Sequence, residues 1–267
     1  ELNHFNIVAD VASEKDLAKF FSKKKNEQFA SLLKRFLSFS FRKNEIYKEK
    51  EPGKFDLEAV GSVKDRYFDG YWQSERYFKP IEQIIRDEFA LKNQLPNNEE
   101  EEINEIESSL APVSIHIRRD DFVKTEVNYY KYHVCTSDYY QKAFAYLTKR
   151  INVEMKLFVF SDDPDWCRVN LSFPCQISII SRANCNTATN DLYKMSKCKY
   201  HIIANSSYSW WGAWLSTYPE KIIIAPKNWL APTPSILDFN SRNFYPMPDI
   251  TPEKWIRVET RSHLKNR

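Results

Sequence analysis

Apolar residues in the first third of the chain recur with the spacing of an amphipathic helix. Within Glu14–Phe39 they fall three or four residues apart, which is typical of a helix that buries one face. Pro80–Leu91 shows the same spacing, whereas Arg66–Phe68 has the character of a strand. The pattern predicts helix over most of residues 1–50 and a small mixed region after it.

From about residue 110 the pattern changes to short apolar runs separated by helical stretches. The apolar runs predict strands at Val113–Ile117, Lys156–Phe160, Gln176–Ile180, His201–Ala204 and Lys221–Ala225. The stretches between them predict helices at Ser137–Arg150, Asp165–Val169, Asp191–Lys197 and Ser209–Thr217. Strands alternating with helices form a parallel sheet, so the predicted fold class is α/β with a Rossmann-type parallel sheet in the C-terminal lobe.

An acidic segment, Asn97–Glu107, lies between the two regions. Runs of like charge are usually solvated, so we predict a linker there. It would divide an N-terminal lobe over 1–110 from a nucleotide-binding lobe over 111–267, whose last residues return to the first lobe. The basic run between Lys23 and Lys43 is interpreted as a solvated face, with peripheral contact to an anionic membrane as the alternative.

Composition excludes several classes of protein. The chain has 267 residues, of which 42% are hydrophobic and 28% charged, and this balance is typical of a globular domain. A net charge of +3 is too small to indicate nucleic acid as a partner. No apolar run approaches the roughly 18 residues that span a membrane. The five cysteines lack zinc-ligand spacing and are expected to be mostly reduced, as in a cytoplasmic protein.

The segment Ser114–Phe122 carries the strongest chemical signal. A β-branched strand runs directly into two adjacent arginines, Arg118 and Arg119. Ligands of open α/β sheets bind beyond the carboxyl ends of the strands, and a guanidinium matches phosphate oxygens in pairs. The position therefore indicates a diphosphate site. The alternative is a surface ion-pair network with Asp120 and Asp121.

Two further strand ends carry polar side chains. Asp162 and Asp163 offer carboxylates to a ribose or a metal, although Asp163–Pro164–Asp165 stands at a helix start, where capping is favoured over metal binding. Asn205–Gly212 places hydroxyls and N–H groups at a helix N-terminus, which suits a phosphate; the alternative is an ordinary cap over an aromatic core. With four glycines in all, the chain has no glycine-rich phosphate loop.

Four ordered segments resemble the motifs of the α-1,2-fucosyltransferases of glycosyltransferase family 11. They are GYWQSERYF at 70–78, SIHIRRDDF at 114–122, FVFSDDPDWC at 158–167 and NDLYKMSKCKYHIIANSSYSWWGAWL at 190–215, with LNHFNI at 2–7 as a weaker match. The resemblance implies a two-lobed GT-B-like fold, GDP-L-fucose as donor, inversion at the anomeric carbon and no required metal or other cofactor.

The resemblance also implies roles for particular residues. It puts His116 beside the nucleotide and Arg118 on the pyrophosphate, with Arg119 in support. Asp121 takes the acidic position of the motif.

The related α-1,6-fucosyltransferases extend this set. Their guanine-reading acidic residue matches Asp191, and their phosphate-binding serines match Ser206 and Ser207. Their catalytic glutamate matches Glu126, so Glu126 and Asp121 are alternative candidates for the base that takes the acceptor's proton.

Two departures from the family pattern affect these expectations. Asp120 stands where the family has glycine, which removes some freedom at positive φ. The family's opening strand and Gly-Gly-x-Gly-Asn-Gln loop have no counterpart here, so we expect the first lobe to be N-terminally incomplete.

We therefore expect an inverting enzyme that transfers L-fucose from GDP-L-fucose to the 2-hydroxyl of a galactose-type glycan in a bacterial cytoplasm. We expect the N-terminal lobe over 1–110 to be the acceptor side and the lobe over 111–267 to bind the GDP-L-fucose donor. Gln73, with Tyr71 and Trp72, is a candidate for the acceptor cleft; the alternative is that these residues form buried core. The alternative function is a catalytically inactive protein that binds a nucleotide sugar or a glycan.

Overall fold

The computed structural model describes residues 2–21, 45–61, 66–125, 135–180, 188–230 and 247–260. The chain divides into two compact units. The smaller unit comprises Val8–Pro80 and Met247–Ile250, and the larger comprises Glu1–Ile7, Ile81–Pro246 and Thr251–Arg267.

The smaller unit contains a two-stranded parallel sheet. Its elements are α1 (Glu14–Phe21), β1 (Glu45–Lys48), α2 (Leu57–Val60) and β2 (Arg66–Asp69). The strand predicted at Arg66–Phe68 is confirmed. The helix predicted over residues 1–50 is wrong at β1, because Tyr47 packs against Phe68 across the sheet, at 6.1 Å between ring centroids. Residues 22–39 of the predicted helix lie outside the described residues.

The larger unit contains a six-stranded parallel sheet. Its strands are β3 (Ala111–Ile117), β4 (Met155–Ser161), β5 (Gln176–Ile180), β6 (Tyr200–Ile202), β7 (Ile222–Pro226) and β8 (Ile256–Val258). Its α-helices are α3 (Glu82–Glu88), α4 (Asn97–Ser108), α5 (Asp120–Val123), α6 (Ser137–Thr148), α7 (Pro164–Asn170), α8 (Ala188–Lys197) and α9 (Ser207–Leu215).

The strand order across this sheet is β5-β4-β3-β6-β7-β8, with every neighbouring pair parallel. Counted from β3, the order is 3-2-1-4-5-6, which is that of a doubly wound Rossmann sheet. The predicted α/β class with a parallel sheet is confirmed. The order reverses between β3 and β6, and ligands of such sheets bind in the crevice beyond the strand ends at this point.

Helices cover both faces of the sheet. On one face α6 buries Tyr139, Tyr140 and Leu147 against the central strands. On the other face Ile106 of α4 and Met195 of α8 pack over the sheet. All seven residues of β3 are buried, so the strand that leads into the two arginines is anchored along its length.

The predicted acidic linker is wrong, because residues 97–108 form helix α4 in the larger unit. Its carboxylates are matched by lysines distant in sequence: Lys194 for Glu99 and Glu102, Lys156 for Glu105, and Lys197 for Glu107. The compact units therefore divide near residue 80 and not near 110. Residues 247–250 join the smaller unit before β8 joins the large sheet. The donor and acceptor roles given to the two lobes stay predictions.

The expectations about cysteines and membrane-spanning segments can be compared with the structure only within the described residues. Cys135, Cys167, Cys175 and Cys198 are free thiols, and Cys185 lies outside the described residues. Within the described helices, none is both long enough and apolar enough to cross a membrane.

Candidate active site

Three strand ends that the sequence singled out meet at the carboxyl edge of the large sheet. Ile117 pairs with Ser161 on one side of β3, and Ile115 pairs with Ile202 on the other. The residues that follow these strands therefore stand side by side at the point where the strand order reverses. Neighbouring strands lie about 4.8 Å apart, so side chains from all three ends reach one another.

Arg118 is held by two carboxylates. Its Nη1 lies 2.9 Å from Oδ2 of Asp162 and its Nη2 donates to Oδ1 of Asp121 at 2.6 Å. The Arg118 side chain remains 31% exposed. A guanidinium has five N–H donors, of which the hydrogen bond to Asp121 uses one, and the contact with Asp162 is an ion pair, so donors remain for a ligand that approaches from solvent.

Arg119 is tied to the next strand end. Its backbone N–H donates to Oδ1 of Asp162 at 2.8 Å, and its Nε donates to Oδ2 of Asp163 at 3.0 Å. Its guanidinium lies 4.2 Å from the ring centre of Trp166. Arg119 is thus engaged on three sides, which fits support of its neighbour better than direct ligand binding.

The predicted ion-pair alternative is partly right. Asp121 does pair with Arg118, but Arg119 pairs with Asp163 across the strands. Asp120 pairs instead with Lys124, and this hydrogen bond lowers the pKa of the Asp120 carboxyl.

The role of Asp162 in the structure differs from the role predicted from the sequence. Its side chain is only 10% exposed, and its two oxygens hold the Arg118 guanidinium and the Arg119 N–H. It is therefore engaged with the arginines and not directed at a ribose or metal. The sequence feature that could have indicated this role is the position of an acidic residue immediately after β4, the strand that pairs with β3.

Asp163 caps α7, as predicted. Its Oδ1 accepts from the backbone N–H of Trp166 at 3.0 Å, and Pro164 occupies the first turn of the helix. Asp165 pairs with Arg168 at 2.5 Å. Among the described residues, no group of three or more His, Cys, Asp or Glu side chains has the arrangement of a metal site.

The third strand end leads into α9. Ser206 is the N-cap residue of this helix, but its hydroxyl makes no capping hydrogen bond, and Ser207 is exposed. Asn205 is fixed by a 2.9 Å hydrogen bond to the Trp229 carbonyl. The first-turn N–H groups of a helix have no intrahelical partner and carry positive partial charge, which suits an anion.

His116 and Tyr208 link this region together. His116 is buried, and its ring centre lies 5.4 Å from that of Tyr208. The Tyr208 hydroxyl donates to the carbonyl of Ala188 at 2.5 Å, at the start of α8. The ends of β3, α8 and α9 are therefore brought together, as the sequence predicted.

Asp191 occupies the first turn of α8 but is buried. Its Oδ1 lies 3.8 Å from Nζ of Lys194, which also contacts Glu99 and Glu102 of α4. The predicted contact between Asp191 and guanine stays a prediction.

Gln73 lies in the smaller unit, after a constrained turn. Glu49 accepts from the backbone N–H groups of Tyr71, at 2.8 Å, and Trp72, at 3.1 Å. Trp72 has a φ of 54°, which is strained for a bulky residue. Tyr71 is exposed and Gln73 half-buried, so the alternative that all three form buried core is wrong for Tyr71. The other candidate base, Glu126, lies outside the described residues.

Comparison with known proteins decides the family. The sequence model described as Glycosyl transferase family 11 matches residues 13–238. The chain belongs to glycosyltransferase family 11.

Two relatives from Escherichia coli agree with this family 11 assignment. An alpha-1,2-colitosyltransferase is 36% identical over 234 residues, which cover 85% of this chain and 73% of that protein. The O-antigen biosynthesis glycosyltransferase WbnK is 41% identical over 119 residues, which cover 44% of this chain and 39% of that protein. Among solved structures, NodZ alpha-1,6-fucosyltransferase soaked with GDP-fucose has 17% sequence identity and a TM-score of 0.36, covering 61% of this chain and 55% of that one.

Proposed function

We propose that this family 11 glycosyltransferase moves L-fucose from GDP-L-fucose to the 2-hydroxyl of a galactose-type residue in a glycan, with inversion. The observation that carries the proposal is the Arg118 guanidinium, held at the switch point of a doubly wound sheet by Asp121 and Asp162. The O-antigen role in the name of WbnK supports a bacterial surface glycan as the acceptor.

Departure of the donor's diphosphate builds negative charge that the site must stabilise. In our proposal Arg118 binds the diphosphate through its remaining donors, and Ser206, Ser207 and the N–H groups of α9 bind its phosphates. Fixed donors aimed at developing charge are usually the largest catalytic contribution. His116 lies beside the nucleotide, and Asp191 accepts from guanine in this proposal.

A carboxylate must accept the proton of the attacking hydroxyl. The 2.6 Å hydrogen bond between Asp121 and Arg118 supports an orienting role for Asp121, which favours Glu126 as the base. On this basis Glu126→Gln lowers kcat about 10²–10⁴-fold and leaves GDP affinity unchanged. Asp121→Asn lowers both kcat and GDP affinity. An active Glu126→Gln, together with an Asp121→Asn that binds GDP but does not turn over, would move the base to Asp121.

Arg118 provides the direct test of the donor site. Arg118→Ala abolishes transfer and sharply weakens GDP binding, and Arg118→Lys restores little, because an ammonium does not reproduce two parallel hydrogen bonds. Arg150→Ala is the matched control, since the Arg150 side chain is exposed and, among the described residues, its contacts are with Tyr146. Near-normal turnover by Arg118→Ala would overturn the assignment.

The donor sugar is tested by a direct comparison of two donors. Colitose is L-fucose without its 3-hydroxyl, and the name of the 36% identical relative makes GDP-colitose the competing donor. We expect a higher kcat/KM with GDP-L-fucose, and NMR of the product shows an α-1,2 linkage. A preference for GDP-colitose would change the sugar and leave the Arg118 site unaffected.

The proposed mechanism requires no metal. Asp163 and Asp165, the carboxylates nearest to a metal motif, are used in the α7 cap and in pairs with Arg119 and Arg168. Transfer is therefore expected to persist in EDTA. Loss on chelation that is restored by Mn²⁺ or Mg²⁺ would contradict this mechanism.

A further inference from the structure

A cavity outside the candidate active site lies in the larger unit, beside α4. It has a volume of about 470 Å³ and lies between the segment 90–95 and the face of α4 that carries Glu100, Ile103 and Asn104. Tyr193 of α8 completes its wall. The volume is within the range of small-molecule sites. The lining includes none of the residues assigned to the donor.

Most polar side chains of this cavity are exposed and have no partner among the described residues; the exception is Tyr193, whose ring centre lies 4.9 Å from Nζ of Lys197. Across the described residues, no hydrogen bond or ion pair involves the side chains of Lys92, Asn93, Gln94, Glu100 or Asn104. In contrast, four of the five acidic residues on the other faces of α4 are paired with lysines, namely Glu99, Glu102, Glu105 and Glu107, and the fifth, Glu101, is exposed. The cavity therefore gathers hydrogen-bonding groups that are available to a ligand.

The mixture of groups indicates a neutral, amphipathic ligand. Lys92 and Glu100 carry opposite charges, so the cavity has no net charge to attract an anion. Half-buried Leu95 and Ile103 and the Tyr193 ring offer apolar surface. Side-chain amides both donate and accept, as sugar hydroxyls do, and the C–H faces of a pyranose pack on apolar and aromatic surface.

Both walls of the cavity are fixed in place. Leu91 forms an antiparallel bridge with Phe5, and the N–H of Lys92 donates to the His4 carbonyl at 2.9 Å. The opposite wall, α4, is fastened to α8 by the buried Lys194. A preformed cavity spends little free energy on ordering when it binds.

We propose that this cavity binds a sugar residue of a neutral glycan at a distance from the site of transfer. The inference rests on the proposed function in that the acceptor is a glycan. It adds that the protein holds a second part of that glycan through Gln94, Asn104 and Tyr193.

The test measures glycan binding without donor, so that it does not depend on turnover. The probe is an array of neutral and acidic oligosaccharides, followed by saturation-transfer NMR with the neutral glycan that binds most strongly. The double variant Gln94→Ala/Asn104→Ala should bind that glycan about tenfold more weakly, since it loses two hydrogen bonds. Glu101→Ala is the matched control, because Glu101 is exposed on the same helix and outside the cavity.

Three outcomes would overturn the proposal. They are the absence of any neutral glycan bound by the wild-type protein, unchanged binding in the double variant, and equal loss in Glu101→Ala. Circular dichroism and Tm of each variant identify a general loss of folding, in which case Tyr193→Leu, which removes the aromatic face, is measured instead. Glycan binding that persists in Arg118→Ala while transfer is lost supports both sites. Glycan binding without any transfer by the wild-type protein would contradict only the proposed function.

Discussion

Replacing Lys194 by methionine is the most informative test of how the larger unit is held together. Lys194 is fully buried, with its Nζ 3.1 Å from Oε2 of Glu99, in direct contact with Glu102, and 3.8 Å from Oδ1 of Asp191. Methionine keeps the length and apolar body of the side chain and removes its charge. Glu99 and Asp191, only 2% and 4% exposed, then lose their shared cation.

The size of the effect follows from this burial. Removing one partner of a buried ion pair costs about 3–5 kcal/mol, because the remaining charge is left without compensation in a poorly solvated site. Domains are stable by roughly 5–15 kcal/mol, so about a fifth or more of the total is at stake. For a unit of this size the loss corresponds to a decrease in Tm of roughly 6–20 °C.

The assay is equilibrium urea unfolding, with two comparison variants. Lys142→Met removes an exposed lysine paired with Asp138, and should change the free energy of unfolding by less than about 1 kcal/mol. In the double variant Lys194→Met/Glu99→Gln one uncompensated charge is also removed, so part of the stability should return, with a coupling of about 0.5–3 kcal/mol. A loss below about 1 kcal/mol in Lys194→Met would refute the argument from burial.

Three further predictions concern single positions. Burial, together with the charge of nearby Lys221, lowers the pKa of His201 to about 3 from 6.5, so below pH 6.5 the unfolded chain binds a proton that the folded chain does not. The free energy of unfolding should therefore fall by about 1.4 kcal/mol per pH unit as the pH drops from 6.5. His201→Asn should flatten this slope in urea titrations. An unchanged slope would mean that other groups cause the pH dependence. A Cβ at Gly70 would lie 2.4 Å from Cβ of Glu49, so Gly70→Ala should destabilise the smaller unit by about 1–3 kcal/mol in thermal unfolding, and a neutral result would show that this turn relaxes freely. Asp163→Ala removes the α7 cap and should cost about 0.5–2 kcal/mol, whereas Asp163→Asn keeps the cap and should cost less; equal losses would point to its ion pair instead.

The large sheet was predictable because its signals are local. Apolar runs identify β3, β4 and β5, and their predicted bounds differ from those observed by two residues at most. The short strand β8 was missed, since three residues with one exposed arginine carry too little periodicity to stand out. Helix α4 was missed for a different reason. Its acidic residues indicate a solvated segment until Lys194, some 90 residues later in the chain, is known to lie against them.

The candidate site was predictable in its location and only partly in its contacts. The convergence of the strand ends follows from parallel pairing alone, and the structure confirms it. The partners of Arg118 and Arg119 depend on the register between β3 and β4, which no local pattern encodes. The burial of Asp191 likewise depends on α4, whose helical state was not predicted.

The register between β3 and β4 also explains why two adjacent arginines serve one site. Consecutive residues leaving a strand tend to point to opposite faces, so Arg118 and Arg119 would diverge without a restraint. Asp162 supplies it, because one carboxylate holds both the Arg119 backbone N–H and the Arg118 guanidinium. Asp121 then fixes the other arm of the same guanidinium. A planar group held at two of its nitrogens is oriented before a ligand arrives, which reduces the entropy lost on binding. An ammonium at position 118 has a single nitrogen and would not be held in this way, so the arrangement of the two aspartates is itself an argument for arginine at this position.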